Sequence, residues 1–96
     1  MDTKQLESKL INFFEACKER NYPIETHCLI ENETDFILEV KALWIDQMES
    51  CSMALDILND ILWETTDVDT RKEIFAISII DSNEEPHCYT EITQTN

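Results

Sequence analysis

The stretch that decides the fold is residues 24–43, IETHCLIENETDFILEVKAL. Ile24, Thr26, Cys28 and Ile30 alternate with Glu25, His27, Leu29 and Glu31. Further on, Phe36, Leu38, Val40 and Ala42 alternate with Asp35, Ile37, Glu39 and Lys41. A period of two belongs to a strand, whose successive side chains point to opposite faces. Glu31-Asn32-Glu33-Thr34 between the runs is polar, so 24–31 and 35–43 predict a β-hairpin. Glycine is absent from the chain, which leaves the turn type open.

Working outward, the period changes from two to about 3.6. Leu6, Leu10, Phe13, Phe14 and Cys17 share one helical face, so residues 3–20 predict an amphipathic helix. Asp2 with Gln5 forms a capping-box pattern before it, and Asn21-Tyr22-Pro23 stops it. On the other side, Met48, Cys51, Leu55, Leu58 and Leu62 predict a second helix over 46–63. Ala54, Ile57 and Ile61 widen its buried stripe, with Asp46 as N-cap and Glu49 completing a second capping-box pattern. Residues 64–70 read as an acidic loop. Residues 73–81 are apolar at nearly every position and predict a strand covered on both faces or one at an interface. A turn from Asp81 to Pro86, a weaker strand over 87–92 and a frayed tail over 92–96 complete the chain.

The order α-β-β-α-β-β predicts one α+β domain over residues 1–96. Its simplest form is a four-stranded antiparallel sheet with two helices packed on one face. The second sheet face would then be open, with Leu29, Ile37 and Leu43 on it or at its edge, which predicts a homodimer.

Charge narrows the function classes. The formal net charge is −14, and 17 of the 21 acids lie in residues 24–96, where only Lys41, Arg71 and Lys72 oppose them. Repulsion disfavours direct binding to nucleic acid or to an anionic membrane, whereas a basic protein would be attracted and steered. A hydrophobic content of 43% still favours a folded domain over a disordered acidic tail. The opening segment MDTKQLESKL has neither a basic n-region nor an apolar h-region. The expectation is therefore a cytoplasmic protein with four reduced thiols and no disulfide.

Chemistry finds little footing. The absence of glycine excludes Gly-rich phosphate loops and the Gly-x-Ser-x-Gly elbow. His27-Cys28 and His87-Cys88 invite a zinc reading, but strand neighbours point to opposite faces and the spacing fits no zinc motif. The expectation is core cysteine beside surface histidine. No enzyme activity, metal or cofactor is predicted.

One constellation suggests function. On the second helix Glu49, Asp56, Asp60 and Glu64 fall opposite the apolar stripe, with Met53 and Trp63 on the same polar side. Acidic residues steer a basic partner, and an exposed aromatic residue anchors it. With Asp67 and Asp69 from the following loop, these residues form the candidate partner-binding set. In size, charge and helix stripe, though in no aligned motif, the chain resembles small acidic inhibitors: immunity proteins, antitoxins, and anti-restriction or anti-CRISPR proteins. That resemblance implies that it blocks a basic nucleic-acid-handling protein such as a nuclease. The alternative is a dimeric adaptor or secretion-chaperone-like module, pairing through strand 74–80 and the second helix.

Overall fold

The computed structural model describes residues 2–80 and 86–91, the last six by their backbone. The expected turn after Asp81 and the tail over 92–96 lie outside the described residues. The fold is mixed α+β. Its order is α1 (Thr3–Lys9), α2 (Ile11–Glu19), β1 (Thr26–Asn32), β2 (Asp35–Lys41), α3 (Leu43–Asp46), α4 (Cys51–Thr65), α5 (Val68–Glu73), β3 (Ile74–Ile80) and β4 (Pro86–Glu91). The sheet runs β1-β2-β3-β4.

The hairpin forms as the alternation requires. β1 and β2 pair antiparallel from Thr26↔Lys41 to Asn32↔Asp35, leaving Glu33 and Thr34 at the tip. The expected all-antiparallel sheet needs correction, because β2 and β3 run parallel. Residues 42–73 between them form the helical crossover α3-α4-α5, which brings the chain back to start β3 in the direction of β2. β3 and β4 then pair antiparallel.

The two long helices also need correction. The first is broken at Leu10, whose N–H is shared between Leu6 O and Glu7 O at 3.1 and 3.2 Å. Leu10 is itself fully buried, so both flanking helices keep their apolar face on the core. α2 closes without glycine: Asn21 takes φ 66°, and Tyr22 N–H donates to Cys17 O at 2.7 Å. Asparagine tolerates this left-handed position better than most residues. The second helix begins at Cys51 with Ser50 as N-cap, not at Asp46. Residues 43–46 are held apart as α3, where Trp44 Nε1–H donates to Pro23 O at 3.0 Å and its ring lies 4.8 Å from Tyr22. The expected acidic loop shrinks to Thr66 and Asp67: its first two residues close α4, and its last three open α5, capped by Asp67.

One core joins the layers. Leu6, Leu10, Phe13 and Cys17 meet Leu38, Val40, Ile77 and Ile79 of the sheet and Ala54, Leu55, Leu58, Ile61 and Leu62 of α4. The face of β1 is the reverse of that expected. Leu29 pairs with Leu38 and packs on the core, while Cys28 and Ile30 are exposed. Alternation tells which residues share a face; on an edge strand it does not tell which face is buried. His27 therefore lies on the helix side, its ring stacked on Phe14 at 4.2 Å and its Nε2 3.0 Å from Glu7.

The expectation of four reduced thiols also fails. Cys17 and Cys28 are free, but Cys51 is disulfide-bonded. Burial pushes the Cys17 thiol up to about 11, outweighing the opposing pull of the Arg20 charge. A thiol reagent should label Cys28 quickly in the native protein and Cys17 only after unfolding. Denatured without reductant, the chain should show two thiols, and after reduction all four of its cysteines. Four thiols before reduction would contradict the bond.

Candidate functional site

α4 forms because its inner side is so strongly apolar. Leu55, Leu58, Ile61 and Leu62 are each at most 4% exposed. Burying a side chain of this size contributes about 1.5–3 kcal/mol. Like-charge pairs at i,i+4, such as Asp56–Asp60 and Asp60–Glu64, cost only about 0.2–0.5 kcal/mol each. Core burial therefore outweighs the repulsion and holds an acidic ridge in place.

That ridge carries exposed apolar groups. Met53 is 56% and Trp63 40% exposed, with Asp56 and Asp60 exposed between them. Val68, at the start of α5, is also exposed, at 53%. Spacings of three, four and three from Met53 through Asp56 and Asp60 to Trp63 keep all four on one side of the helix.

The other candidates are placed differently. Glu49 is exposed but lies in the bend before α4, outside the helix stripe. Glu64 accepts from Arg20 Nη2 at 2.6 Å, so its charge is tied to the end of α2. Asp69 is exposed in the first turn of α5. Asp67 caps that helix, accepting from Thr70 N–H at 2.8 Å.

Hydrogen bonding by the Thr70 side chain and then its backbone N–H lowers the Asp67 carboxyl below the ordinary carboxylate range, with Lys9 and Arg71 adding to it. A carboxyl lowered in the folded state stabilises above its unfolded value and ceases to do so as pH falls through its folded one. Asp67→Ala should therefore lower the melting temperature at neutral pH, and Asp67→Asn, which keeps an acceptor, much less so. The gap between Asp67→Ala and wild type should narrow at acid pH, toward that between Asp67→Ala and Asp67→Asn, as the carboxyl becomes a neutral acceptor. Thermal melts at both pH values check this.

Two arginines escaped the sequence reading and close the C-terminal end of the ridge. The Arg71 guanidinium lies 4.0 Å over the Trp63 ring, and its Nη1 donates to Trp63 O at 3.2 Å and to Thr66 O. The last turn of α4 has no basic residue of its own. Arg20 and Arg71 supply from α2 and α5 the positive charge that a helix C-terminus favours. The available signal was their scarcity: Arg71 and Lys72 are the only bases after residue 41, directly behind an acidic run. The open part of the ridge is thus Met53, Asp56, Asp60 and the uncovered surface of Trp63.

Among the described residues, no group of three or more His, Cys, Asp or Glu could hold a metal ion. The side chains of His87 and Cys88 lie outside the described residues. No described helix is long and apolar enough to cross a membrane. No family model, curated protein or solved structure matches the chain.

Proposed function

We propose that this protein is a small acidic inhibitor that binds a basic, nucleic-acid-handling protein through the outer face of α4. The observation that carries the reading is the pairing of exposed Met53 and Trp63 with Asp56 and Asp60, on a helix whose opposite side is closed into the core. The carboxylates steer a cationic surface inward, and the apolar groups hold it once water is expelled. Spaced one helical turn apart, the carboxylates stand in for successive phosphates of a nucleic-acid strand. The face needs no catalytic group and no cofactor to do this.

The dimeric adaptor is the weaker reading. It would pair two copies through strand 74–80 and the apolar side of α4. Ile74, Ile77 and Ile79 and the inner side of α4 are already used in the chain's own core.

The test is affinity capture from the native cell at low salt, with wild type and with Asp56→Lys/Asp60→Lys as parallel baits. The expected result is a basic protein held by wild type, missing from the variant, and released by added duplex DNA or RNA. A partner held equally by both baits contradicts this use of the face. A partner indifferent to nucleic acid contradicts the inhibitor reading while leaving the face intact.

A further inference from the structure

β1 is an edge of the sheet. The strand order is β1-β2-β3-β4, and among the described residues no strand pairs with the other side of β1. Asn32 and Asp35 flank a two-residue tip, so they exchange backbone hydrogen bonds, and so does every second pair behind them. Thr26, Cys28, Ile30 and Asn32 therefore bond to β2. The backbone N–H and C=O of His27, Leu29 and Glu31 point to the free edge.

Edge strands are commonly guarded by lysine, proline, a bulge or shortness. β1 has none of these: its seven residues hold neither Lys nor Pro and keep unbroken register with β2. Thr26, His27, Cys28, Ile30 and Glu31 are all exposed.

The order of side chains along β1 fits a second copy of itself. An antiparallel pairing about a two-fold axis at Leu29 matches the strand end to end. Thr26 of one copy then lies opposite Asn32 of the other, His27 opposite Glu31, Cys28 opposite Ile30, and Leu29 opposite Leu29. Polar side chains meet polar ones, apolar meet apolar, and the one acid of the strand meets its one histidine. The same axis brings the free backbone groups of His27, Leu29 and Glu31 face to face. Sliding the register by two residues sets Glu31 against Glu25 in one direction and against Leu29 in the other, and both leave strand ends unpaired.

We infer that two copies of this chain associate edge to edge through β1, about a two-fold axis at Leu29, into one continuous sheet. α4 packs on β3 and β4, away from this edge. The two acidic ridges then lie far apart in the dimer, and each stays free for a basic partner. The pairing itself does not depend on the function proposed for α4.

Light scattering between about 1 and 100 µM, joined to amide hydrogen exchange, tests this. Both are run at physiological ionic strength, where exposed charges on two acidic copies are screened over about 8 Å. Wild type should reach twice the 11.3 kDa chain mass. As concentration rises, the amides of His27, Leu29 and Glu31 should become protected, while those of Cys28 and Ile30, bonded to β2, should stay protected throughout. Glu31→Pro removes an outward N–H and no bond to β2. By symmetry two hydrogen bonds are lost, so association should weaken by about 10-fold or more. A thermal melt establishes that the variant is folded; if it is not, the exchange pattern decides alone. A monomer throughout the range overturns the inference. So does a dimer whose three edge amides exchange as fast as in the monomer, or a folded Glu31→Pro that dimerises as tightly as wild type.

Discussion

Leu58→Ala should lower the unfolding free energy by about 2–5 kcal/mol, while Asp56→Lys/Asp60→Lys should leave it unchanged or raise it. Leu58 is fully buried in the cluster that joins α4 to the sheet and to α2. Truncating it removes transfer energy and leaves a cavity that its neighbours fill only in part. A domain of 96 residues has about 5–10 kcal/mol in total, so the loss is a large share of its stability. Each kcal/mol moves the melting point of a domain this size by about 4–8 °C. The two aspartates lie on the opposite side of the same helix, where reversal relieves like-charge repulsion at i,i+4. Urea titration of both proteins reads the difference. If the aspartate variant loses as much as Leu58→Ala, the ridge is part of the fold and is not free for a partner.

The second large effect concerns binding. Asp56→Lys/Asp60→Lys should slow association with the captured partner by roughly 10-fold or more at low salt. The difference should shrink as salt rises, since exposed charges are screened over about 8–10 Å at physiological ionic strength. Trp63→Ala should act on the dissociation rate instead, costing about 2 kcal/mol or more if its ring is a central anchor. Its cost in folding is smaller, because the exposed cation–π contact with Arg71 is worth only about 0.5–1 kcal/mol. Glu64 does not belong in the reversal: a lysine there would face Arg20 and break a contact between α2 and α4. Stopped-flow association and dissociation on the three proteins separate these effects. Equal association rates for wild type and the double variant would show that the ridge is only solvated.

What was legible in the sequence was the periodic part of the chain. The hairpin, the buried stripe of α4 and the capping box at Asp2 each follow from repeating spacing or a local cap, and the structure has all three. What was not legible depends on tertiary context. The parallel pairing of β2 and β3 is set by how residues 42–73 cross between them, and no spacing within either strand records it. The breaks at Leu10 and over 47–50 carry no proline or glycine to mark them. α5 was hidden by length, since a helix of six residues shows little periodicity, although Asp67 three residues before Thr70 was a readable cap. The binding face was half legible. Periodicity gave the direction of Asp56, Asp60, Met53 and Trp63, but only the folded chain shows Arg20 and Arg71 closing one end.

The most direct measurement is made on Trp63 itself. The chain has two tryptophans, so Trp44→Phe labelled with 5-fluorotryptophan carries a single fluorine reporter in the ridge. Adding the unlabelled partner should shift that resonance and shield it from a soluble paramagnetic quencher, and Asp56→Lys/Asp60→Lys should weaken the response. A complex that forms while the resonance stays in place and fully quenchable would contradict the assignment of the outer face of α4 as the binding surface.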